Sequence, residues 1–114
     1  LRPEGFVFRY HVDQTDDGLA GTESPFLFCN FWLVDCLVLQ EKFDEAEALF
    51  EKTIGVANDL GLMSEEYDLK TRRLLGNFPQ AFSHIGMIDS AYMLTQRELR
   101  GIPKRQKAHL GRAA

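Results

Sequence analysis

The sequence holds no run of about 18 charge-free apolar residues, so nothing in it reads as a membrane span. Its most apolar stretch, residues 26–39, is interrupted by Asn30 and Asp35. Basic charge is also scarce. There are 13 Lys and Arg against 17 Asp and Glu, a net charge of −4. Phosphate neutralisation needs a clustered basic face, so nucleic acid is not expected as a partner. The charges are uneven. From Arg97 onward there are six basic residues and one acid, Glu98, which leaves 7 basic and 16 acidic residues in the first 96. The basic end reads as a solvated tail. No segment reads as a signal peptide, and a cytoplasmic location is the expectation. The chain opens with Leu1 rather than Met, so its true N-terminus is expected to be missing.

Cysteine is limited to Cys29 and Cys36. On one helix their Cα atoms would stand roughly 10 Å apart, whereas a disulfide needs less than about 7 Å. Both are therefore expected as small buried apolar residues without a bridge between them. His11, His84 and His109 share no metal-ligand spacing. Neither a Gly-x-Gly-x-x-Gly turn nor a phosphate loop is present. No metal and no cofactor is expected.

Four zones are legible in the 114 residues, which make at most one domain. The first, residues 1–24, holds a short strand-like piece at 5–10 and then loop composition around Asp13, Asp16, Asp17, Gly18 and Gly21. The second is a helical hairpin. Ser24 as N-cap and Pro25 at a first helical position predict a helix to about Gln40. Asp44 with Glu47 has the spacing of a capping box for a second helix. There Ala46, Leu49, Phe50, Ile54 and Ala57 recur at helical spacing. The helix over 25–40 is apolar in nearly every direction, so protein must cover it on all sides. One further amphipathic helix cannot do that, and the chain reads as a piece of something larger. Trp32 is expected in its core. The third zone, 60–77, is a long connection with a possible hairpin of 62–67 against 73–75. The fourth is a helix over about 79–97, ended by Gly101 and Pro103.

Two clusters carry chemistry. Glu65, Glu66 and Asp68 place three carboxylates in one loop, anchored by Leu62, Met63 and Tyr67. Carboxylates act as general acids or bases when held against a water or a leaving group. A solvated acidic loop is the plainer alternative. Arg9, Tyr10 and Asp13 combine a forked donor, an aromatic ring and an acceptor. Such sets bind sugars in concave pockets, although a simple strand-end ion pair would explain them as well.

Three segments then follow in order: Glu23-Ser24-Pro25-Phe26-Leu27-Phe28-Cys29-Asn30-Phe31-Trp32-Leu33-Val34, Ser64-Glu65-Glu66-Tyr67-Asp68, and Gly76-Asn77-Phe78-Pro79-Gln80-Ala81-Phe82-Ser83-His84. Together they resemble the C-terminal region of glycoside hydrolase family 15, which includes glucoamylases, glucodextranases and bacterial trehalases. The resemblance covers roughly residues 5–95. It implies an all-α fold, an α/α toroid of six inner and six outer helices of which this chain supplies the last few. Residues 1–97 would then be the end of a catalytic domain, and 98–114 a basic tail.

The resemblance also implies an inverting mechanism, in which an acid and a base stand about 6.5–9.5 Å apart. Glu65 takes the position of the general base. Glu66 stands where fungal members have glutamine. Arg9, Tyr10 and Asp13 fall on the motif that holds the first glucose. Phe26 and Phe82 fall on pocket-lining aromatic positions, Phe26 in place of a fungal tryptophan. The implied partners are an oligosaccharide or disaccharide substrate and the remainder of the domain, where the general acid lies upstream. The 114 residues alone are therefore expected not to release glucose from maltose or trehalose.

A second reading is a non-enzymatic interaction module, because residues 43–52 read like one helix of a tetratricopeptide-type repeat. Such arrays need about three or more repeats, and the connection at 60–77 breaks any period. A third reading is a non-catalytic relative that still binds sugar.

Overall fold

The computed structural model describes residues 2–10 and 23–99; the 98–114 tail lies largely outside them. A short 3₁₀ turn, Pro3–Gly5, opens the chain. Helix α1 spans Leu27–Leu39, α2 Phe43–Ile54 and α3 Ala81–Leu99. Between α2 and α3 lies a small antiparallel hairpin, β1 Glu66–Asp68 paired with β2 Arg73–Leu75. Its register sets Glu66 opposite Leu75, Tyr67 opposite Leu74 and Asp68 opposite Arg73. Among the described residues the fold is all-α apart from that hairpin, as the resemblance implies.

Helix α1 is the centre of the structure and packs against both α2 and α3. Its buried residues explain why. Val34 and Leu37 meet Ala46 and Leu49 of α2. Leu27 and Phe31 meet Phe6, Met63 and Tyr67 beneath the loops. Burying each large apolar side chain contributes about 1.5–3 kcal/mol. Towards α3 the approach is tight at Gly86. A Cβ placed on Gly86 would fall 2.8 Å from Phe28 Cδ2 and 3.1 Å from Phe31 Cβ, so a side chain there would force the Phe28 ring to move.

A buried polar network ties the N-terminal segment to this pair. Asn30, with no exposed surface, accepts from the Val7 N–H at 2.7 Å and donates to Thr53 Oγ1 at 3.1 Å. Thr53 in turn donates to the Leu49 carbonyl at 2.8 Å. The buried Asn30 amide and Thr53 hydroxyl are thereby paired, as buried polar groups must be where water is excluded.

Several expectations are corrected. Residues 5–10 form no strand. Phe6 turns back to the Pro3 carbonyl, and Val7 bonds to the Asn30 side chain and to the Phe26 N–H. Helix α1 begins at Leu27 because Phe26 is extended and bridged to Glu66, while the Pro25 carbonyl accepts from the Tyr67 N–H. Asp44 does not cap α2. Phe43 is already helical, and Lys42 precedes it without a side-chain cap. Strand β1 starts at Glu66, so 62–65 lies outside the hairpin. Cys36 is exposed and Cys29 half-buried; both are free thiols. Trp32 is 57% exposed rather than core. An apolar stripe of Ile85, Ile88 and Tyr92 on α3 is exposed as well.

Candidate active site

Ser64 and Glu65 sit where the loop after α2 enters the hairpin, and three elements hold them there. The Glu65 carbonyl accepts from the Leu27 N–H at the start of α1, and the Glu65 N–H donates to the Asn77 carbonyl, both at 3.0 Å. The first turn of α3 grips the preceding residues. The Gln80 N–H reaches the Met63 carbonyl at 2.9 Å, and buried Ser83 donates to the Ser64 carbonyl at 2.8 Å. His84 Nε2 accepts from the Met63 N–H at 3.2 Å. Its Nδ1 therefore carries the proton and donates to the Gln80 carbonyl at 2.6 Å. The loop backbone is fixed on both sides of the carboxylates.

The Glu65 side chain is half-buried and lies at the open end of the hairpin, beside Asn77. Its Oε2 accepts from Asn77 Nδ2 at 3.0 Å, with the Asn77 backbone N–H 3.4 Å away. Gly76, at φ +75°, gives it room: a Cβ at that position would stand 3.1 Å from both the Cβ and Oε2 of Glu65. Asn77 and Gly76 belong to the third family-like segment, but nothing in their spacing marks them as the holders of Glu65.

Glu66 turns to a different set of groups. Its Oε1 lies 3.4 Å from Arg9 Nη2. Burial raises its carboxyl above the ordinary carboxylate range, and the Glu23 charge adds to that while Arg9 opposes it. Arg9 Nε donates to Glu23 Oε1 at 2.5 Å, and this bond holds the guanidinium firmly charged. The guanidinium carbon also lies 4.7 Å from the centre of the Phe26 ring and 5.6 Å from that of Tyr10, within cation–π range. Phe26 and Phe82 are 5.4 Å apart, and Phe28 meets Phe82 edge-on at 5.5 Å. Phe28 also packs on Trp32 with the two rings tilted, their centres 4.5 Å apart.

Arg9, Tyr10, Phe26, Phe82 and Glu66 are thus brought to one place, and Glu65 is joined to it through the backbone bond to Leu27. Asp13 lies outside the described residues. Asp68 is spent locally. It accepts from Thr71 Oγ1 and the Lys70 N–H, which lower its carboxyl below the usual range. Glu23 is a member of the cluster that sequence reasoning did not single out. Two surface clefts, of about 310 and 390 Å³, lie between α2 and α3 and between α3 and the end of α1, and none of these residues lines them. Among the described residues no three His, Cys, Asp or Glu side chains are grouped to hold a metal ion, and no helix is long and apolar enough to cross a membrane.

The chemistry this allows is that of a carboxylate beside a cation and an aromatic wall. Comparison with known proteins gives it a context. Residues 1–92 match the family described as Glycosyl hydrolases family 15. The chain is 44% identical over 98 residues to a trehalase of Mycolicibacterium smegmatis, covering 86% of this chain and 15% of that protein. It is 44% identical over 104 residues to a trehalase of Thermoplasma acidophilum, covering 91% of this chain and 18% of that protein. A trehalase of Mycobacterium tuberculosis is 42% identical over 98 residues, 86% of this chain and 14% of its own length. The chain thus spans less than a fifth of these relatives. No solved structure gives a significant match.

Proposed function

Because the chain belongs to glycosyl hydrolases family 15, we propose that it supplies one wall of a site that hydrolyses an α-glucosidic bond, with Glu65 as the general base. The observation that carries this is the setting of Glu65. One oxygen, Oε2, is held by Asn77 at 3.0 Å, which leaves Oε1 to take a proton from water. Arg9 presents charged N–H groups for sugar hydroxyls, and Phe26 with Phe82 offers an apolar face for a sugar ring. The relatives at 44% identity are named trehalases, so the substrate proposed is trehalose or a similar α-glucosidic disaccharide.

In the inverting course, Glu65 deprotonates a water that attacks the anomeric carbon from the face opposite the leaving oxygen. A general acid outside these 114 residues protonates that oxygen, and glucose is released with its configuration inverted. The remainder of the domain is the partner this requires. The exposed Trp32, Ile85, Ile88 and Tyr92 are the surfaces it would cover. The chain alone is accordingly inactive. No feature favours a tetratricopeptide-like module, since the loop after α2 packs back on α1 and α3 instead of starting a second repeat.

The test uses the complete polypeptide that carries these residues. Trehalose should be cleaved with inversion at the anomeric carbon, read by NMR in the first minutes. Glu65→Gln should lower kcat by about 10²- to 10⁴-fold with the fold retained. A Glu65→Gln variant with full activity would remove the assignment.

A further inference from the structure

Arg9 belongs to no helix or strand, yet its guanidinium is fixed in two directions. Glu23 Oε1 takes the Nε proton at 2.5 Å, and the Phe26 ring lies 4.7 Å from the guanidinium carbon. Glu66 holds Nη2 more loosely, at 3.4 Å. A guanidinium is planar and carries five donors in a rigid fork. Once the Nε–H direction and the stacked face are set, the directions of the terminal N–H groups follow. Exposure is divided in the same sense: the Glu23 side chain is 9% exposed, whereas Arg9 is 36% exposed. The anchor is covered and the anchored group is open.

We propose that Glu23 is a positioning residue of the sugar site, clamping the plane of Arg9 on Phe26 so that the terminal N–H groups of Arg9 are aimed at the hydroxyls of the bound sugar. This rests on the reading of Arg9 as a sugar-binding group. An ion pair with one partner this open adds little to stability, so stability alone does not account for the clamp. A charge-assisted bond to Nε does something an exposed pair elsewhere would not: it selects one guanidinium orientation out of many. Glu23 acts on Glu66 as well, because its negative charge adds to the burial that raises the Glu66 carboxyl.

The experiment compares the wild-type complete polypeptide with Glu23→Ala, Glu23→Gln, Arg9→Ala and the Glu23→Ala, Arg9→Ala pair. The readouts are kcat and KM on trehalose, thermal unfolding, and glucose binding by calorimetry. Glu23→Ala should raise KM about tenfold, the scale of one charge-assisted hydrogen bond, with kcat changed less than about threefold. Glu23→Gln keeps an acceptor oxygen for Nε and should fall between Glu23→Ala and wild type. It also serves if Glu23→Ala does not fold. Adding Glu23→Ala to Arg9→Ala should cost nothing further, because the two act through one group. An unchanged KM in both Glu23 variants, or effects that multiply in the double variant, would overturn the proposal. If the wild type cleaves no α-glucoside, the hydrolase reading fails separately, and glucose binding then decides. About tenfold weaker binding by Glu23→Ala supports the clamp; equal binding, or none by the wild type, overturns it.

Discussion

Gly76 and Glu65 share one crowded corner of the hairpin, where the hydrogen of the glycine stands in for a methyl group that would press on the carboxylate. A Cβ there would lie 3.1 Å from Glu65 Oε2, and φ at Gly76 is +75°. Gly76→Ala therefore has both a backbone and a contact cost. The expected loss is about 1–2 kcal/mol of stability from the left-handed backbone alone. Because the contact falls on Glu65, kcat should drop as well. Thermal unfolding and steady-state kinetics of the complete polypeptide check both. Wild-type kcat in Gly76→Ala would mean that Glu65 tolerates being moved.

Asn77 should matter through its side chain. Asn77→Ala removes the Nδ2 donor at 3.0 Å from Glu65 while keeping the backbone pairing with the Glu65 N–H. The expected outcome is about a tenfold fall in kcat, the scale of one hydrogen bond to a charged group, with little change in melting temperature. Equal losses in kcat and stability would point to a loop that has simply unravelled.

What the sequence made legible divides by the range of the forces involved. Helix α2 was plain because Ala46 and Leu49 recur at helical spacing and bury together. The uniform apolarity of α1 announced a central helix, and it does lie between α2 and α3. The errors come from contacts between distant residues. Phe26 stays extended because Glu66, 40 residues later, bridges to it. The stretch around Phe6 looked like a strand, but its hydrogen bonds go to Asn30. Trp32 looked like core because apolarity says that a surface is to be covered, not by what. In the site, Arg9 and the Glu65 loop stood out by residue type. Glu23 did not, since an acid in a loop acquires a meaning only when Arg9 arrives from 14 residues away.

The pH dependence of stability should carry the mark of Glu66. Its carboxyl is raised in the folded state, mainly by burial. The folded state therefore binds this proton more readily than the unfolded one. The group favours folding below the ordinary glutamate range, and that contribution is lost as pH rises through the raised folded value. Glu66→Gln should thus be more stable than the wild type at pH 7, and the difference should shrink as the solution is acidified. Urea unfolding at several pH values measures it. A variant less stable at neutral pH would show that the loose contact with Arg9 outweighs desolvation.

Asn30 should be costly to replace. Asn30→Ala strips the Val7 N–H and Thr53 Oγ1 of buried partners. A loss of about 2–3 kcal/mol is expected from the unsatisfied groups. Because Val7 is two residues from Arg9, KM should rise with it. Denaturant unfolding and kinetics together test the link; a stability loss with unchanged KM would show that the Arg9 segment is held in place without Asn30.

Gly86 has a reach beyond its own size. Phe82 stands one turn earlier on α3 and meets both Phe26 and Phe28, so the spacing that Gly86 permits between α1 and α3 also places the aromatic wall. A library selected for altered sugar preference should consequently return changes at position 86, since a single methyl there would displace Phe28 and tilt the Phe26–Phe82 wall proposed above to carry the sugar ring.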